Sequence, residues 1–210
     1  MKHKAVIAIL LTALSLFIAL TVLVVAEHGA VQALNAALYA PVAGFITPAL
    51  TSIAIWIGSL THWYAYAAVI AILLILPRAR MKIGLPVAVT LIVSAITGPV
   101  ILKNIFAIER PDINPLIEQG GFGYPSGHSM NAMVFFGMCI IMMLRYCKNK
   151  PLKIGFTVLA GTSILLVGLS RIYLGVHTVS DVTGGYLAGT VVICIAVLAE
   201  SRFMRSKKSR

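Results

Sequence analysis

The sequence predicts an all-α, polytopic membrane bundle of six transmembrane helices with both termini cytoplasmic. A broken interfacial or re-entrant helical segment is expected on the outer side. Three observations predict this architecture. Of the 210 residues, 60% are hydrophobic and only 11% are charged, whereas a soluble domain is about one quarter charged. The mean hydropathy is +0.97; so much apolar surface exceeds what one small core can hide, so lipid must cover it. The basic residues fall in clusters between apolar runs. Residues 1–210 read as one membrane domain.

Lys2 and Lys4 precede an apolar run from Ala5 to Ala26. That run exceeds the roughly 7–15 residues of a signal-peptide core and meets the ~20 residues of a span. It reads as a retained first helix, 5–26. Further apolar runs predict helices near 58–77, 83–106, 128–145, 152–169 and 181–199. The run from Leu38 to Leu60 is also long enough to cross, but Pro41, Gly44 and Pro48 interrupt it.

Charge decides that case. With six spans, one side of the membrane holds Lys2 and Lys4, then Arg78, Arg80 and Lys82. It also holds Arg145, Lys148, Lys150 and Lys153, and the tail Arg202, Arg205, Lys207, Lys208 and Arg210. That side is the cytoplasm. A seventh crossing would scatter these residues, so 28–57 reads as the broken outer segment, with Trp56, Trp63 and Tyr64 at an interface. The net charge of +11 is thus mostly an orientation signal and implies no nucleic-acid partner. The tail reads as a solvated topogenic segment, with binding to anionic lipid left open. Cys139, Cys147 and Cys194 are odd in number and two lie in apolar runs, which suits packing rather than a disulfide framework or metal site.

Three basic residues remain on the outer side: Lys103, Arg110 and Arg171. Ionisable groups near membrane depth are costly and point to function. Lys103 and Arg110 are seven residues apart, about two helical turns, and Pro111 ends the helix there. They can converge on a phosphate, or simply snorkel to the interface. Tyr124-Pro125-Ser126-Gly127-His128 precedes the fourth span. It offers a hydroxyl, a glycine for close approach and a helix start whose amides face an anion; the alternative is an ordinary cap with an interfacial imidazole. His177 and Asp181 are four apart, on one face if a helix has begun. There an Asp would fix the His tautomer, or the two form a satisfied pair at a helix end. Together the groups supply three cations, two histidines, a carboxylate and a helix N-terminus. That inventory suits phosphoryl transfer without a metal.

KNIFAIERP (103–111), PSGH (125–128) and SRIYLGVHTVSD (170–181) resemble the three-part signature of the type 2 phosphatidic acid phosphatase superfamily. The signature lies in the C-terminal half of the chain. The resemblance implies a lipid phosphate phosphatase of the small bacterial six-span kind, acting on undecaprenyl diphosphate, phosphatidylglycerophosphate or related lipids. It implies that His177 attacks phosphorus and forms a phosphohistidine, that Asp181 orients it, and that His128 protonates the leaving oxygen. Lys103, Arg110, Ser126, Gly127 and Arg171 would hold the phosphate. No metal or other cofactor is implied. The partners implied are a lipid phosphate substrate and the plasma-membrane bilayer, with the site on the extracytoplasmic face; no protein partner is implied. A transporter or flippase for anionic lipids, using the same cations as a binding site, is the alternative. It gives no reason for pairing His177 with Asp181.

Overall fold

The computed structural model describes residues 3–208 apart from 63, 65, 69, 70, 72–74, 76–84 and 112. The described residues are helical and contain no strand. The elements are α1 (His3–Val25), α2 (Gly29–Ala43), α3 (Pro48–Ser59), α4 (Leu85–Ile96), a π-helical turn (Thr97–Leu102), α5 (Lys103–Phe106), α6 (Gly127–Tyr146), α7 (Lys150–Tyr173) and α8 (Val179–Lys208).

Among the described residues, five helical stretches are long and apolar enough to cross a membrane: His3–Val25, Val87–Phe106, Gly127–Tyr146, Lys150–Tyr173 and Val179–Ser201. They match five of the six predicted spans. Of the remaining one, 58–77, nine residues lie outside the described ones, Trp63 among them, as do Arg78, Arg80 and Lys82. Apolar side chains such as Leu11, Val22, Ile154, Val158 and Leu165 point outward. In water such surfaces would be costly; in lipid they are at home. The chain is a membrane protein.

The broken segment 28–57 proves helical on both sides of a break. His28 caps α2 and Thr47 caps α3, each through its side chain, and Pro48 sits in the first turn of α3. The break falls at 44–47, while Pro41 is accommodated inside α2, near its end.

α8 is the centre of the bundle, packed against α6 and α1; α7 packs on α6 and also reaches α8, where the Tyr186 hydroxyl donates to Ile164 O at 2.7 Å, and α3 lies against α7. Gly185 and Gly189 permit the close approach of α8 to α6. A Cβ at Gly185 would lie 2.5 Å from the Ser126 carbonyl oxygen, and one at Gly189 2.8 Å from that of Met130. Small residues one turn apart let helix backbones meet in this way. One apolar cluster gathers Val6, Leu91, Val134, Met138 and Ile193; a second, nearer the site, gathers Phe17, Tyr124, Met130 and Ala188. Arg145 and Glu200 pair at the opposite ends of α6 and α8 from the site described next.

Candidate active site

The start of α6, the start of α8, the end of α7 and the segment after α5 meet at one end of the bundle. Ser126 is the N-cap of α6: its Oγ accepts from Ser129 N at 3.4 Å. The Ser126 N–H donates to the Asp181 carbonyl at 2.9 Å, tying the second and third sequence groups together.

α8 begins with a capping box. Thr178 Oγ1 accepts from Asp181 N at 3.2 Å, and Asp181 Oδ2 accepts from Thr178 N at 2.8 Å. The helix therefore starts after His177, and the pair does not meet on a helix face as its spacing suggested. The cap brings them together instead, with Asp181 Oδ2 3.4 Å from His177 Nδ1. The contact is electrostatic: neither Asp181 nor any other acceptor among the described residues is in hydrogen-bonding geometry with Nδ1.

A second departure concerns Arg110. Helix α5 ends at Phe106, because Ala107 adopts the left-handed conformation at φ 49°. Lys103 and Arg110 thus do not share a helix face. The segment from Ala107 turns back, with Gly123 N donating to Ile108 O at 2.7 Å, and brings Arg110 over His177. Arg110 Nη1 donates to Val176 O at 2.9 Å and lies 3.2 Å from His177 Nε2, while Nη2 donates to Gly120 O at 2.9 Å. A guanidinium only donates, so Nε2 must be the acceptor. The proton then sits on Nδ1, facing Asp181, and the Nε2 lone pair faces Arg110.

Lys103, Arg110, Gly127 and His128 line one cavity of about 410 Å³. Lys103 Nζ donates to Phe122 O at 2.5 Å on its wall. Arg110 Nε and Gln119 Oε1, also at this cavity, are buried with no partner. Such atoms each cost about 1–3 kcal/mol and suit a ligand that accepts from one and donates to the other. His177, Asp181, Ser126 and Arg171 are buried beneath and do not line the cavity. Arg171 Nη2 donates to Ala54 O and Nε to Ser170 Oγ, both at 3.2 Å. Its guanidinium lies on Gly58, where a Cβ would overlap it. Gly58→Ala is therefore expected to lower thermal stability by about 1–3 kcal/mol. Gly155→Ala, inside α7 where nothing lies within 4 Å, should keep it or raise it by up to about 1 kcal/mol; thermal unfolding in detergent checks both.

Sequence reasoning missed His62, Gln119 and Asn131, all at the cavity. Asn131 lies three residues after His128 on α6, so helical spacing was a usable signal; Ser94 Oγ donates to its Oδ1 at 2.8 Å. His62 carried only the weak signal of a polar residue in an apolar run.

Burial sets the titration of the groups outside the spans. His177 is pushed down to about 4, chiefly by burial, with Lys103 and Arg110 adding to the effect and Asp181 opposing it. It is neutral at pH 7. Burial likewise raises Tyr124 to about 12, with its hydroxyl 2.8 Å from Thr21 Oγ1. For Arg110, burial lowers the pKa and Asp181 opposes. An ¹⁵N NMR titration of ring-labelled histidine should show His177 titrating near pH 4; a midpoint near 6.5 would contradict the buried, neutral assignment. Between those values the unfolded chain holds a proton that the folded chain lacks, so this contribution to stability falls as pH drops from 6.5 toward 4.

Comparison with known proteins agrees with the sequence resemblance. The family model described as the PAP2 superfamily matches residues 83–205. Phosphatidylglycerophosphatase B of Bacillus subtilis is 34% identical over 110 residues, which cover 51% of this chain and 54% of that protein, about half the length of each. The undecaprenyl-diphosphatase of Sulfolobus acidocaldarius is 30% identical over 72% of this chain and 71% of its own. The crystal structure of the transmembrane PAP2 type phosphatidylglycerolphosphate phosphatase from Bacillus subtilis superposes with a TM-score of 0.78 at 26% identity, covering 92% of this chain and 96% of that one. Aquifex aeolicus LpxE shares the fold, with a TM-score of 0.60 at 22% identity over 78% of this chain and 94% of its own. The matched region contains every residue of the three motifs, and the chain belongs to the PAP2 superfamily.

Proposed function

We propose that this chain is a metal-independent lipid phosphate phosphatase working through a phosphohistidine. The observation that carries this reading is the placement of His177: Nδ1 lies 3.4 Å from the Asp181 carboxylate and Nε2 3.2 Å from the guanidinium of Arg110, which can only donate. A phosphate entering the cavity competes for the Arg110 N–H groups as a charge-assisted acceptor. That frees Nε2 for in-line attack. The Nε2–P bond forms as the bond from phosphorus to the leaving oxygen breaks, and His128, in its imidazolium form, gives that oxygen a proton and becomes neutral. Water then attacks phosphorus, His128 takes a proton from it, and the N–P bond breaks to release phosphate and neutral His177. Lys103, Arg110 and Arg171 offset charge on the equatorial oxygens, while Ser126 and Gly127 present the start of α6.

The substrate proposed is undecaprenyl diphosphate, phosphatidylglycerophosphate, or both, after the two relatives' names. The proposed setting is the plasma membrane: six crossings over one domain of residues 1–210, termini cytoplasmic, site extracytoplasmic. Its support is charge: Arg145, Lys148, Lys150 and Lys153 lie at the end of α6 and start of α7, away from the site. The test is phosphate release by detergent-purified protein in chelator, with kcat/KM compared among undecaprenyl diphosphate, phosphatidylglycerophosphate and phosphatidate. Turnover of at least one supports the reading; binding with no turnover of any contradicts it and favours a transporter.

A further inference from the structure

We infer that Asn35, in α2, is a positioning residue for the His177–Asp181 pair, acting through the first turn of α8. The inference rests on the phosphatase reading above. Asn35 Nδ2 donates to Ser180 Oγ at 2.9 Å, and its Oδ1 accepts from Ser180 N at 3.0 Å. A backbone N–H can only donate, which fixes the orientation of the amide. Ser180 Oγ, already accepting from Asn35, lies 2.8 Å from Thr178 Oγ1. Thr178 in turn shares the capping box with Asp181, whose carboxylate faces His177. The clamp thus seizes the residue between the cap and the carboxylate.

α2 is itself held in place. Tyr39, one turn after Asn35, donates its hydroxyl to Ile113 O at 3.1 Å. Asp181 needs such support because it lies in the first turn of α8, and helix ends fray. Behind it lies a second cavity of about 500 Å³, bordered by Glu27, Asn35, Glu109, Ser180 and Asp181. On that side Asn35 reaches across to the helix start. The separation from His177 Nδ1 is already 3.4 Å, so a small drift of the first turn parts the pair.

In detergent-purified full-length chain, Asn35→Ala is expected to lower kcat about ten- to hundredfold, the scale of an ångström-level misplacement, with KM within about threefold. Asn35→Asp, which keeps the acceptor for the Ser180 N–H, should retain more activity. In an Asp181→Asn background the loss from Asn35→Ala should shrink to less than about twofold, because the carboxylate it positions is gone. Equal losses in the two backgrounds would mean a merely structural role and overturn the inference, as would full activity of Asn35→Ala. Should that variant fail to accumulate, Ser180→Ala, which removes the hydroxyl but keeps the N–H, carries the same comparison. A wild type that releases no phosphate from any lipid overturns the proposed function and this inference with it. Wild-type turnover with undiminished Asn35→Ala overturns the inference alone.

Discussion

His177→Ala is expected to lower kcat by at least about three orders of magnitude while KM changes little. The loss is large because the side chain would make and break a covalent bond to phosphorus, and removal of a nucleophile leaves only binding and charge stabilisation. KM is spared because Lys103, Arg110 and His128 still line the cavity. The substitution leaves a hole in a fully buried position, which costs some stability, so thermal unfolding in detergent must accompany the kinetics. A folded variant with wild-type kcat would remove His177 from the chemistry.

Asp181→Asn is expected to lower kcat by about two to three orders of magnitude, the scale of losing one electrostatic stabiliser of the transition state. The helix start should survive. The Asn Oδ1 can still accept from Thr178 N, as Asp181 Oδ2 does at 2.8 Å. The same oxygen position faces His177 Nδ1 at 3.4 Å, so the Nδ1–H tautomer is kept and what is lost is the negative charge that stabilises the imidazolium formed when Nε2 bonds phosphorus. Comparison of kcat with the ¹⁵N shifts of His177 separates this effect from misfolding. Unchanged shifts with unchanged kcat would contradict it.

Much of the bundle was legible in the sequence, because lipid imposes long apolar helices; their ends differ from expectation by four residues or fewer, except that α8 runs on from the expected 199 to Lys208. The run expected at 152–169 extends to Tyr173, which places Arg171 inside α7 rather than beyond it. The motif residues were legible because phosphate chemistry demands residue types that a membrane otherwise excludes. The local geometry between them was less so. Pro111 suggested a helix running to Arg110, yet the left-handed Ala107 ends it first, and no residue type announces an alanine in that conformation. The spacing of His177 and Asp181 was correct as a contact but arises from a cap rather than a helix face. Contacts distant in sequence left no pattern: Gly58 beneath Arg171 and Asn35 on Ser180 emerge only from the packing of α3 and α2.

The central claim is a phosphoryl group carried on His177, and rapid quenching during turnover of a ³²P-labelled lipid phosphate tests it most directly. The account predicts an acid-labile, base-stable phosphoryl-enzyme in wild type, mapped to the peptide containing His177 and absent from His177→Ala. Label that persists in His177→Ala, or turnover by wild type with no trapped phosphoryl-enzyme at any quench time, would contradict it.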